Sequence, residues 1–219
     1  LNFVEEFDMS TLFNSENIST EKEALKIIEN LKLKNQLWHH RDNNYNIVKY
    51  NKDYLSFDRI NTVGLFRSVI FKKGKIIVFS PPKGLNPEYF EKVYNPADCI
   101  AQEYIEGTMI NLYYDEDNSD WEIATRSSIG GKMSFNNSET FREMFLEACI
   151  VCNLDFDTLS KDYCYSFVLQ HPNNRIVVPF SEAKLFLVSV YKINKFVVNS
   201  INLEVVKPFL TNTTVLFPE

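Results

Sequence analysis

From residue 65 onward the apolar side chains recur at every second position, in short runs broken by turns. That period commits most of the chain to β-strands with one buried face, because successive side chains on a strand point to opposite sides. Residues 65–71 and 75–79 flank Lys72-Lys73-Gly74 and read as a hairpin, which Pro81-Pro82 ends. Residues 99–104 and 108–114 read as strands around Glu106-Gly107, and 121–126 follows an acidic turn at 115–120. The runs at 163–169, 175–178, 185–192 and 196–198 complete a strand-rich second half. Eighteen Phe and eleven Tyr against six Gly agree with this, since aromatic rings suit a half-buried pleated surface.

Two windows follow the helical period instead. Thr20 and Glu23 have capping-box spacing, and Ala24, Leu25, Ile27, Ile28 and Leu31 then recur at helical intervals, which predicts a helix over 21–33. Ser138 is the expected cap of a second helix, where Phe141, Met144, Phe145, Ala148, Cys149 and Cys152 form one apolar stripe that docks on a sheet. The first twenty residues read as an arm packed on the body, and the Asn-rich stretch 38–53 as polar loop with one short strand. The expected class is α+β, mostly antiparallel sheet with flanking helices. Residues 1–53 form an arm, helix and loop, and 54–219 form the main domain.

The 219 residues carry a formal net charge of −6, so the chain is no general polyanion binder, although a local basic patch can still touch phosphates. Lys72, Lys73 and Lys75 at the hairpin tip have two readings, solubility or a phosphate-backbone contact. No apolar run approaches the roughly 18 residues of a membrane span, and Glu5, Glu6 and Asp8 do not fit a signal peptide. An intracellular location without a membrane partner is the expectation. Cys149 and Cys152 make a C-x-x-C on an apolar helix face without a second pair or a nearby His, so buried thiols in a reducing compartment are expected. His39, His40 and His171 lack the further ligands of a zinc site, and no metal is expected. Asp115, Glu116, Asp117 and Asp120 lack the spacing of a calcium loop and read as a solvated turn. No phosphate-binding or dinucleotide-binding glycine loop is present, nor a Gly-x-Ser-x-Gly elbow.

Four stretches are too particular for core filler. They are Phe66-Arg67-Ser68, Ser80-Pro81-Pro82-Lys83-Gly84, Tyr104-Ile105-Glu106-Gly107 with Thr125-Arg126-Ser127 after it, and Pro172-Asn173-Asn174-Arg175-Ile176-Val177. In this order they resemble the N-terminal domain of the covalent nucleotidyltransferases, specifically the phage-type RNA ligase 1 branch, and within it the RNA-ligase-like proteins of large DNA viruses of eukaryotes. The resemblance covers about 66–191 and implies a nucleotidyltransferase-like (ATP-grasp-like) fold.

Such enzymes use a Lys-x-Asp-Gly motif whose lysine takes AMP from ATP as a phosphoamide. The corresponding positions are Tyr104-Ile105-Glu106-Gly107, so a phenol stands where the nucleophile belongs. The resemblance puts Arg67, Lys83, Glu106, Gly107, Arg126 and Arg175 around a nucleotide or phosphate. Val168 stands where the family has a Glu, and the late Glu-Gly-x-Val and Lys-x-Lys motifs are not visible; Leu203-Glu204-Val205-Val206-Lys207 is a faint echo of them.

Three functions follow as expectations. The first is a degenerate RNA-ligase-like domain without catalysis, a binding or structural module whose partners are proteins, virion components among them. The second is an active nucleotidyltransferase using ATP and Mg2+, with Lys83 as displaced nucleophile. The third is a nucleic-acid-binding domain with a basic face of Lys72, Lys73, Lys75 and Lys132. Geometry separates the first two: Lys83, Glu106 and Arg126 lining one cleft favours the enzyme, and Tyr104 filling it favours the module.

Overall fold

The computed structural model of the protein describes residues 5–13, 20–134, 139–175 and 177–219. Its strands are β1 (Glu6–Asp8), β2 (Trp38–Asp42), β3 (Tyr45–Lys49), β4 (Val69–Lys72), β5 (Lys75–Phe79), β6 (Thr108–Asp115), β7 (Asp120–Ala124), β8 (Tyr163–Gln170), β9 (Lys184–Asn194) and β10 (Val197–Ile201). The helices are α1 (Ser10–Phe13), α2 (Glu21–Asn35), α3 (Pro87–Val93), α4 (Phe141–Val151) and α5 (Leu203–Val206). One sheet runs β1-β10-β9-β8-β6-β7 and the other β2-β3-β4-β5. Every pairing within them is antiparallel, so the structure is α+β with antiparallel sheets and few helices.

The period of two in the sequence becomes two cores. Tyr113, Cys164 and Tyr191 of the six-stranded sheet pack against Ile47, Val69, Phe71 and Phe79 of the four-stranded one. Their neighbours Leu112, Tyr165 and Val190 point the other way, under Phe145, Ala148 and Cys149 of α4. The six-stranded sheet is therefore covered on both faces. Lys73 (φ 49°) and Gly74 (φ 74°) close the β4–β5 hairpin, both in the left-handed region that a two-residue turn of this kind requires.

Helices α2 and α4 each begin as a capping box. Thr20 and Glu23 cap α2, which continues to Asn35, and Thr140 with Glu143 caps α4. The cap of α4 is thus Thr140 rather than the expected Ser138, which lies outside the described residues. Cys149 on α4 and Cys152 at its C-cap are both buried; burial first, and then Cys152 beside it, push the Cys149 thiol up to about 12. In the arm, β1 pairs with β10, and Met9 and Phe13 enter the inter-sheet core. No helix among the described residues is long and apolar enough to cross a membrane.

Several local expectations are corrected. The stretch 38–53 forms the β2–β3 hairpin, whose second strand joins β4, because Tyr45, Ile47 and Val48 are buried between the sheets. Residues 99–104 form no strand: Ile100 and Tyr104 are exposed, and the Glu103 N–H donates to the Glu219 carbonyl at 2.7 Å. Residues 175, 177 and 178 form none either, since the Val178 N–H goes to a side chain, Glu106 Oε1, at 3.1 Å.

Asp115, read as part of a solvated turn, is buried. Lys72 Nζ lies 2.8 Å from both its carboxylate oxygens and 3.0 Å from Asp117 Oδ2, and the Tyr45 hydroxyl donates to the same carboxylate. The Lys72 and Asp115 side chains are only 8% and 4% exposed. Burial opposes ionisation of Asp115, but hydrogen bonds from Lys72, Tyr45 and the Asp117 N–H outweigh it and hold the carboxyl below its ordinary range. Burial likewise opposes the charge of Lys72, and its bonds to Asp115, Asp117 and Tyr45 still raise it above the lysine range.

Lys72→Ala leaves that carboxylate buried without its cation and is expected to cost about 3–5 kcal/mol, whereas Lys73→Ala, whose partner is exposed, costs less than about 1 kcal/mol. Urea unfolding measures both. A depressed carboxyl contributes stability above the ordinary aspartate value of about 3.9 and loses it as pH falls below. The acid limb of the stability curve is therefore expected to flatten in Asp115→Asn.

Candidate functional site

A cleft of about 860 Å³ opens where the end of β3, the turns after it, the 83–86 loop and the turn after β7 meet. Pro81-Pro82 ends β5, and the Lys83 N–H donates to the Gly64 carbonyl at 3.0 Å, which fixes the loop on the cleft wall. Lys83 is exposed, and its Nζ folds onto the Gly84 carbonyl at 2.8 Å. On the other wall the turn 125–128 is pinned by Thr125 N–H to the Ser128 carbonyl at 2.9 Å and by Thr125 Oγ1, which accepts from the Ser128 N–H at 3.2 Å. This projects Arg126, whose guanidinium stands 5.5 Å from the centre of the Tyr50 ring.

Lys49, the last residue of β3, donates to Ser127 Oγ at 2.8 Å and is half-buried. Burial first, and then the Arg126 guanidinium, hold its ammonium below the ordinary lysine range. With Lys52 the lining has four cations, Lys49, Lys52, Lys83 and Arg126, against the carboxylate of Asp53. Trp38 and Phe57 add exposed rings, and Phe57 stacks on Tyr89 at 5.3 Å. Cations beside open aromatic faces suit a ligand that carries phosphate and a planar ring.

Of the residues singled out by sequence, Lys83 and Arg126 line this cleft together; Arg67, Glu106, Gly107 and Arg175 are not among its lining residues. Arg67 is half-buried, and its charge opposes the upward push that burial gives the Tyr191 phenol. Glu106 is engaged in structure: its carboxylate accepts from the Val178 N–H, and its carbonyl accepts from Gln170 Nε2 at 2.9 Å. Asn174 Nδ2 donates to Thr108 Oγ1 at 2.7 Å, so the third and fourth stretches meet each other. Arg175 is exposed. Tyr104 is 87% exposed and does not fill the cleft, while Val168 is buried in β8 opposite Met109. Both halves of the geometric criterion thus fail: Glu106 is absent from the lining, and so is the Tyr104 ring.

Lys49, Tyr50 and Trp38 escaped the sequence reading because their segment was taken for loop. The signal was Asn43-Asn44 between two five-residue runs, with Asn43 at φ 51°, a hairpin turn in an Asn-rich stretch.

The likenesses to known proteins agree with this fold. Over 102 residues the chain is 32% identical to an RNA ligase of Rhodothermus phage RM378, a match that takes in 42% of this chain and 23% of that ligase. It superimposes on a candidate ATP-dependent DNA ligase of Aquifex aeolicus with a TM-score of 0.55 and 13% identity, over 89% of this chain and 50% of that one. The chain thus spans about a quarter and half of these two proteins. No protein-family model matches it. The fold is thus similar to that of a ligase, and part of the sequence is similar to a phage RNA ligase.

Gly107 follows Glu106 at φ 148°, and a Cβ there would meet the Leu169 carbonyl oxygen at 2.5 Å and Val168 Cγ1 at 2.7 Å. Gly107→Ala is therefore expected to cost about 2 kcal/mol or more and to lower Tm by about 4 °C or more in a thermal scan.

Proposed function

We propose that this protein is a nucleotidyltransferase-like domain that binds, without transferring, the phosphates of a nucleotide or an RNA end in the Lys83–Arg126 cleft. It acts as a binding or structural module, in a virion if the chain is viral. The observation that carries the reading is a site with cations but without the lysine of a phosphoamide motif. Lys49, Lys52, Lys83 and Arg126 share one cleft, while Tyr104, at the motif position, points into solvent. The buried Val168, where the family has a carboxylate, and the structural bonds of Glu106 support the loss of chemistry.

A second reading, an ATP- and Mg2+-dependent enzyme with a displaced lysine, is favoured by one observation. Lys49 is half-buried beside Arg126 with a depressed pKa, the condition that frees a lysine lone pair. Lys49 therefore joins Lys83 as a candidate nucleophile.

Intact mass after incubation with ATP and Mg2+ separates the two. The module leaves the mass unchanged; an AMP adduct that survives denaturation and disappears in Lys49→Ala or Lys83→Ala overturns it in favour of the enzyme. Binding of a fluorescent ATP analogue is expected to weaken about 10-fold in Arg126→Ala, near 1.4 kcal/mol, within the range of a charge-assisted hydrogen bond. That binding is also expected to weaken as pH rises toward the lysine range, because Lys49 loses its proton earlier than a free lysine, and Lys49→Arg is expected to flatten the profile.

A further inference from the structure

A second cavity, of about 660 Å³, lies at the opposite ends of the strands from the cleft, against the β4–β5, β6–β7 and β9–β10 turns and the start of β8. Six lysines line it, and they divide into two groups. Lys72 pairs with Asp115 and Asp117, Lys73 with Asp117 at 2.6 Å, and Lys75 with Glu116 at 2.9 Å. Lys161, Lys192 and Lys195 have no carboxylate within 4.0 Å among the described residues, and Asp162 is the one lining acid left over.

Strand register, a locked turn and a ring contact place these three. Lys192 sits opposite Tyr163 in the β8–β9 register. Lys195 occupies the β9–β10 turn at φ 54°, and its carbonyl accepts from the Ile76 N–H at 3.0 Å, which locks that turn against β5. The Lys161 ammonium stands 4.3 Å from the centre of the Tyr114 ring. Three like charges gathered on one cavity repel one another. In a chain of net charge −6, whose turn acids neutralise the neighbouring lysines, leaving these three without a carboxylate partner points to an anion from outside.

We infer that this cavity is a second anion site, distinct from the Lys83–Arg126 cleft, that takes clustered phosphate groups on Lys161, Lys192 and Lys195. Its position beyond the β4–β5 tip also changes what the hairpin lysines do: they hold the acidic turn, and the adjacent unpaired lysines meet the ligand. Clustered phosphates come either as a free polyphosphate or as the backbone of a single strand.

The test uses the full chain carrying Arg126→Ala, so that the cleft contributes little, with tripolyphosphate and a labelled decauridylate as probes. Adding Lys161→Ala, Lys192→Ala and Lys195→Ala together is expected to weaken binding at least 10-fold. The logarithmic salt dependence for the strand is expected to shrink by about 2, three contacts at about 0.7 each. Lys73→Ala, whose charge is already paired, is expected to change affinity less than about 2-fold, and circular dichroism checks that the variants fold. Tripolyphosphate binding abolished by the triple substitution identifies a free polyphosphate, and decauridylate binding alone, equally abolished, identifies a strand; either supports the site. If neither probe binds, or the triple variant binds as tightly as its parent, the second site is wrong, whatever the cleft does.

Discussion

The buried contact of Lys72 with Asp115 and Tyr45 is the constraint on which the rest of the arrangement depends. Tyr45 and Lys72 belong to the four-stranded sheet and Asp115 to the end of β6 in the six-stranded one, so a single charge-assisted cluster joins the two sheets. A buried pair is poor evidence of net stability, because desolvation offsets much of the attraction, but it is demanding about geometry. Each donor must sit on that carboxylate or leave a charge unmet. The cluster therefore fixes how the sheets are registered at this end, and apolar packing between Phe79, Tyr191 and their neighbours fills the seam behind it.

A second polar chain crosses the same seam. Asn111 Nδ2 donates to Ser80 Oγ at 2.8 Å, and Ser166 Oγ donates to Asn111 Oδ1 at 2.7 Å, all three nearly inaccessible to solvent. A polar group buried there is tolerated only because its partner comes from another strand, which makes the inter-sheet spacing specific rather than merely hydrophobic. Beyond this chain the strands of the four-stranded sheet run out, Pro81-Pro82 turns the backbone away, and the cleft opens. Closure at one end and opening at the other are two results of one registration.

The cleft and the Glu106–Gly107 bend are separate places in this fold. Lys83 and Arg126 line the cleft together with Lys49, the last residue of β3. Glu106 instead ties the loop before β6 to the segment after β8, and Gly107 lets two backbones approach more closely than any side chain would permit. The carboxylate here does structural work, and the cations remain exposed to a ligand.

The sequence by itself determined the element types wherever the period was sustained. The hairpin at Lys73-Gly74, the stripe from Phe141 to Cys152 and the Thr20–Glu23 capping box are local matters, decided by alternation, by helical spacing and by side chains three residues apart. The family resemblance singled out Lys83 and Arg126, and only the fold brings them to one cleft. The sequence could not assign 38–53, because Tyr45 to Val48 are buried on both faces and show no alternation, nor exclude strands at 99–104 and 175–178, where what is missing is a neighbouring strand. Asp115 in an acidic turn looks solvated from sequence, and only the fold brings Lys72, 43 residues away, onto it. Tertiary structure also decided which lysines keep a free charge: that depends on which carboxylates lie within a few ångströms, a quantity set by packing and carried by no local pattern.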